Sequence, residues 1–271
     1  MSTFFIDGKF FNPTDTFECG QIFRYKKSAE GDYTVASRDK FAVVKKSECG
    51  YSVNTDDEEY FKNFFDLTAD YGKIIEELSC KKEVMKRATA FGSGIRILKQ
   101  DLYETIISFI ISANNNIKRI QLIIERLCAA LGKKTEYGFA FPEPEVLAGK
   151  DEGFFASIGA GYRAAYLAET AKKLYDGFDF DELKNSDTAT ARKILLSLKG
   201  IGPKVADCIL LFGMHRGDVF PVDTWIKKVY HAEFETGLAD NKISDYFVDL
   251  FGKNAGIAQQ YLFYFFRIID K

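Results

Sequence analysis

Two side chains invite chemistry by their type and spacing. Lys204 lies in LKGIGPKVAD, and Asp223 follows 19 residues later in FPVDTW. A deprotonated lysine is a nucleophile that forms Schiff bases, and a nearby carboxylate stabilises positive charge that develops during a displacement. Lys204 falls in the first turn of the predicted helix KVADCILLFGM, where a cation opposes the helix dipole. A purely structural lysine is better placed at the other end. Partial desolvation and the positive helix end both press the amine towards neutrality. Bringing it from about 10.4 to near 7 costs roughly 4 kcal/mol, within reach of a buried group. The expectation is therefore a free amine at neutral pH. A phosphate-binding lysine, which needs no such shift, is the competing reading. Asp223 is also well placed as an N-cap of TWIKKVY. Its apolar neighbours, Pro221-Val222 and Trp225-Ile226, imply poor solvation, and capping and catalysis are compatible.

The elements that must position this pair read as a helical hairpin. ARKILLSL and KVADCILLFGM have helical apolar spacing, with KGIGP between them. Gly200 and Gly202 permit a tight turn and leave backbone amides uncovered, while Pro203 suits a first helical turn. Uncovered amides at a helix N-terminus attract phosphate, although Gly-x-Gly also occurs in ordinary turns. Upstream, FFIDGKFF, IFRYKK, DYTVASR and KFAVVKK read as short strands. From about Glu58 onward helical periodicity takes over, and YGFAFPEPEVLAG reads as a loop because Pro142 and Pro144 interrupt any helix. The class is α+β: an N-terminal antiparallel β-domain, residues 1–80, followed by a mainly α-helical body, residues 81–271, that contains the hairpin.

Bulk properties narrow the partners. The net charge of −2 conceals a split, since residues 1–80 carry 10 basic and 15 acidic side chains, whereas 81–131 carry 9 and 4 and 191–231 carry 7 and 3. Two basic segments suit a polyanion better than the total suggests, though solvated helix faces would look the same. Five scattered cysteines argue against a disulfide framework, and His215 and His231 alone leave little for a metal site. The apolar run Tyr103 to Ala113 is too short to span a membrane. No targeting leader is recognisable, so an intracellular location is expected, cytoplasmic or nucleoid in a prokaryote.

Further motifs make the pattern specific. With LKGIGPKVAD and FPVDTW come ECGQIFRY from position 18, ISANNNIKRI from 111, GAGYRAAYL from 159 and GIAQQYLF from 256. In this order they resemble the 8-oxoguanine DNA glycosylases of the helix-hairpin-helix superfamily. The resemblance implies a TBP-like N-terminal sheet and excision of 8-oxoguanine from double-stranded DNA, opposite cytosine. It assigns the nucleophile to Lys204 and the supporting carboxylate to Asp223, with β-elimination nicking the strand afterwards. It implies a lesion pocket of Gly20, Cys208, Pro221, Gln259 and Phe263, in which the Gly20 carbonyl meets the N7–H that guanine lacks. Asn114, Arg119, Tyr162 and Arg163 would face or wedge beside the orphaned cytosine, and the Gly200 and Gly202 amides would hold a phosphate. The carbonyls of Leu196, Leu198 and Ile201 would hold a structural cation.

No cofactor is implied. No cysteine follows Cys208, which excludes the iron–sulfur cluster of some relatives, and a monomer is expected. Trp225 and Phe266 stand where some relatives have a histidine and an acid. Two other readings remain open: a glycosylase for another damaged base, and a noncatalytic hairpin module that only binds DNA.

Overall fold

The alternating segments near the N-terminus form a five-stranded antiparallel sheet. Its strands are β1 (Ser2–Asp7), β2 (Tyr25–Lys27), β3 (Tyr33–Ser37), β4 (Lys40–Ser47) and β5 (Gly50–Thr55), ordered β1-β5-β4-β3-β2. The computed structural model describes residues 1–234 and 237–269; 235, 236, 270 and 271, inside the range expected for the helical body, lie outside the described residues. In β1 the period of two turns Phe4 and Ile6 inward and leaves Phe5 exposed. Val53 pairs with Phe4 on one side and Val44 on the other, which aligns the buried face. Phe11, Phe17, Phe61, Phe64 and Phe65 pack beneath it in mostly edge-on contacts.

Three expectations for this region change. β5 was not among the predicted strands, because Gly50, Ser52 and Asn54 resemble turn punctuation. A tight hairpin pairing Ser47 with Gly50 nevertheless returns GYSVNT to the sheet. FFIDGKFF is a strand only to Asp7, and a helix, Pro13–Glu18, follows. The Asn12 side chain accepts from Thr14 N–H at 2.9 Å and Pro13 takes the first helical position. IFRYKK contributes only Tyr25–Lys27 as a strand; Ile22 still packs under the sheet and the Arg24 carbonyl accepts from Ala36 N–H at 2.9 Å, while Phe23 turns into the helical core.

The helical body is centred on the helix Leu102–Ser112, every residue of which is buried. The helices Ile117–Leu131, Ala164–Tyr175 and Pro203–Gly213 pack on it, and the other hairpin helix, Thr188–Leu196, and the last helix, Ala255–Ile269, pack in turn on Pro203–Gly213. Aspartate or asparagine caps start many of these elements: Asp101, Asn116, Asp187 and Asp223 each accept a backbone N–H of the first turn. The expected loop after Lys134 holds a small ladder, Lys134–Thr135 with Gly138–Phe139, and a helix Pro144–Ala148. Pro144 prevents a continuous helix but begins a new one.

The two cores do not divide at one point along the chain. Tyr71 and Leu78 pack with the helical body, whereas Leu98 packs under the sheet. The seam is polar and satisfied. Fully buried Gln21 donates to the carbonyls of Thr16 (2.9 Å) and Arg96 (2.8 Å) and accepts from Leu98 N–H (2.9 Å). Buried Arg24 meets Glu104 at 3.2 Å and donates to the Phe139 carbonyl at 2.6 Å.

Candidate active site

The hairpin is built as its sequence suggests. Asp187 caps the first helix, and Asp207 ties the two helices through Arg192 at 2.6 Å. Between them Gly200 adopts φ +82°, and a β-carbon there would approach the Tyr166 side chain to 2.8 Å, so backbone and space both select glycine. Gly202 caps the second helix without side-chain help and has open space beside it. Its amide end is therefore available to an anion. Thr170 and Lys173 steady the turn by donating to the carbonyls of Lys199 (2.9 Å) and Ser197 (3.0 Å). The Leu198 carbonyl accepts from Ile201 N–H at 3.3 Å and keeps a second lone pair, which is compatible with carbonyl ligation of a cation by Leu196, Leu198 and Ile201. Among the described residues no group of three or more His, Cys, Asp or Glu is placed to hold a metal.

Lys204 extends from the first turn of the second helix and lies 5.7 Å from the Phe109 ring centroid. Cys208 stands one turn further along the same face. Burial opposes the Lys204 charge, but the negative charges available at Cys208 and Asp223, with a hydrogen bond to Cys208, outweigh it. The amine consequently titrates above its ordinary value. The expectation of a free amine in the resting chain is thus corrected: desolvation acts as foreseen, and the buried Cys208 thiol together with the half-buried Asp223 carboxylate overcomes it. Burial pushes the Cys208 thiol up, partly relieved by the Lys204 charge.

Asp223 caps the helix Thr224–Glu233, its Oδ1 accepting from Ile226 N–H at 2.8 Å. Its carboxylate acts on both Lys204 and Cys208, although no ion pair joins it to Lys204 among the described residues. The backbone entering this cap is held by Phe220, stacked on Phe247 at 4.1 Å, and Pro221 is buried.

The other half of the site comes from the two ends of the chain. Gly20 has φ +93°, and a β-carbon on it would lie 3.2 Å from Arg267 Nη1, 3.4 Å from Phe263 and 3.5 Å from Ile117. Gln260 donates to the Cys19 carbonyl at 2.8 Å, fastening the last helix to this loop. Gln259 is buried, and its Oε1 has no hydrogen-bond partner among the described residues. The last helix also packs closely on the lysine-bearing helix, for a β-carbon at Gly256 would come 2.3 Å from Leu211. Gly20 and Phe263 are therefore together, as are Lys204, Cys208 and Asp223, on elements in mutual contact.

The four residues expected at the opposite base occupy one loop cluster but differ in exposure. Asn114 has φ +49°, Tyr162 is 57% exposed, and Arg119 is exposed, reaching the Gly159 carbonyl at 3.4 Å. Arg163 departs from expectation. It is 3% exposed and donates to the carbonyls of Ala113 (2.7 Å from Nε), Asn114 (2.8 Å) and Ala160 (3.2 Å). In the free chain it braces the Asn114 turn instead of presenting its guanidinium at the surface. Sequence reasoning missed Gln21, Gln260 and Arg267. The available signal for Arg267 was a solitary cation four residues after Phe263 in an otherwise apolar run.

Residues 4–106 match the family model "8-oxoguanine DNA glycosylase, N-terminal domain", and residues 107–240 match "HhH-GPD superfamily base excision DNA repair protein". The chain is 34% identical over 195 residues to a probable N-glycosylase/DNA lyase of Methanothermobacter thermautotrophicus, covering 63% of this chain and 62% of that protein. It is 37% identical over 169 residues to the N-glycosylase/DNA lyase of Saccharomyces cerevisiae, covering 56% of this chain and 45% of that one. The match thus spans less than two thirds of either relative. Among solved structures, the Clostridium acetobutylicum 8-oxoguanine glycosylase/lyase, in complex with duplex DNA containing cytosine opposite 8-oxoguanine, is 36% identical with a TM-score of 0.93, covering 100% of this chain and 99% of that one. MBOgg1, in complex with a low-affinity DNA ligand, is 38% identical with a TM-score of 0.94, covering 100% and 97%. Agreement at this identity along both full lengths reflects common descent as well as common shape, and the chain belongs to the 8-oxoguanine DNA glycosylases of the helix-hairpin-helix superfamily.

Proposed function

We propose that the chain excises 8-oxoguanine from duplex DNA opposite cytosine and then nicks the strand. The observation that carries this reading is the juxtaposition of Lys204, 5.7 Å from the Phe109 ring, and buried Cys208 one turn along the same helix with the last helix, which packs on that helix and sets Phe263 against Gly20. Phosphate at the Gly200–Gly202 turn fixes the register of the duplex. The lesion leaves the stack at a cost of a few kcal/mol, Asn114 enters the vacated space, and Tyr162 and Arg119 meet the orphaned cytosine. Cys208 and Phe263 enclose the ring, while Gln259 and the Pro221 carbonyl meet its Watson–Crick edge. The Gly20 carbonyl accepts the lesion N7–H and repels the N7 lone pair of guanine.

Lys204 gives up its proton and attacks C1′. The C1′–N9 bond breaks, its electron pair leaves with the base, and the base takes up a proton. Asp223 stabilises the positive charge on the sugar during this displacement. Ring opening yields an imine to Lys204, and loss of the C2′ proton expels the 3′ phosphate.

A module that only bound DNA would have no use for a lysine surrounded by a thiol and a carboxylate. Borohydride should trap a covalent complex between the chain and a duplex carrying 8-oxoguanine opposite cytosine, and Lys204→Gln should abolish the adduct while retaining binding. An adduct that persists in Lys204→Gln would remove Lys204 as nucleophile.

A further inference from the structure

Arg267 carries an unmet demand. Its Nη2 donates to the Glu18 carbonyl, which fixes the guanidinium on the loop leading to Gly20. Its Nε and Nη1 are buried and have no hydrogen-bond partner among the described residues. Nη1 lies 3.2 Å from the position a β-carbon would take at Gly20, and the guanidinium carbon is 5.3 Å from the centroid of Phe263. Donors of a permanent cation shut away from water without an acceptor are costly, so a group arriving with the ligand is the natural acceptor. Gln259 Oε1, on the same helix, is likewise buried and without a hydrogen-bond partner among the described residues.

We propose that Arg267 is a specificity-determining residue that donates to the C8 oxygen of the extruded base, beside the Gly20 carbonyl; the assignment rests on the 8-oxoguanine reading above. On its N7/C8 edge 8-oxoguanine offers an N–H donor next to a carbonyl acceptor. Guanine offers a lone pair at N7 next to a C–H. The Gly20 carbonyl and an Arg267 N–H form the complementary acceptor–donor pair. Both halves of the lesion's altered edge are then read, where the backbone carbonyl alone reads one. The other oxygen within the chemistry of this site is a phosphate flanking the flipped nucleotide, and a duplex without the base separates the two.

Arg267→Met keeps the aliphatic stem against Phe263 and removes the donors. Single-turnover excision from a duplex with 8-oxoguanine opposite cytosine should fall about 10- to 100-fold, the loss of a charge-assisted hydrogen bond. Cleavage of the same duplex with a preformed abasic site, which keeps the phosphates and lacks the base, should fall far less. Arg267→Lys should recover part of the excision, and it supplies the same comparison if Arg267→Met fails to fold. Equal losses on both duplexes would give Arg267 to a phosphate or to the fold and overturn the assignment, as would undiminished excision. A parent protein that cleaves abasic sites but leaves 8-oxoguanine in place would overturn the underlying functional reading instead.

Discussion

At the scale of single residues the decisive quantity is the proton on Lys204. Because the amine titrates above its ordinary value, the reactive form is a minority at neutral pH and grows as pH rises. Adduct formation under single-turnover conditions should therefore increase about tenfold per pH unit below its plateau. Cys208→Ala removes the thiol that pulls the amine upward and should move that limb to lower pH; an unmoved limb would show that the thiol has no hold on the amine. Asp223→Asn should slow excision by about 10²- to 10³-fold while binding of damaged DNA stays measurable, and unimpaired excision would contradict its role. Lys204 and Asp223 were legible because their spacing and helix positions are local facts. The proton state was not, since it depends on how far Cys208 and Asp223, which only the fold brings to the amine, offset its desolvation. Arg163 was legible as a motif position but not as a buried brace, because the Ala113 and Asn114 carbonyls it satisfies, beside the nearby one of Ala160, belong to a turn about 50 residues earlier.

At the scale of elements, the hairpin depends on one left-handed residue. Gly200→Ala must accommodate φ +82° and a 2.8 Å approach to Tyr166, which should cost roughly 1–2 kcal/mol from the backbone alone. The expected readouts are a lower Tm and weaker, less salt-dependent DNA binding; a variant matching the parent in both would mean the turn is not the phosphate anchor. Helices were easier to read than strands here. Periodicity over eight or more residues names a buried face without reference to any neighbour, as in ARKILLSL and KVADCILLFGM. β5 is six residues long and owes its place to pairing with β1 and β4, information that no six-residue window contains.

At the scale of the whole molecule, polar contacts bind sheet and helices. Buried Asp66 is held by Lys99 at 2.7 Å and His215 at 3.2 Å. Burial pushes its carboxyl up, but these two partners more than offset that and leave it below the usual carboxylate value of 3.8. The contribution is therefore present above about pH 4 and is lost as the pH falls through the folded value. Asp66→Asn should lose about 1–3 kcal/mol near pH 7, with the gap to the parent closing in acid; a gap constant from pH 7 to 3 would count against this. Glu104→Gln leaves Arg24 buried without its counter-charge and should cost about 3–5 kcal/mol in urea unfolding, so a loss below 1 kcal/mol would contradict the seam. One further property follows from the last helix closing onto the Gly20 loop. A polypeptide emerging from the ribosome completes its hairpin well before residues 259–267 are made. Under the proposed function, the wall that would read the base is thus laid down after the turn that would hold the phosphate, so the order of synthesis separates the two tasks.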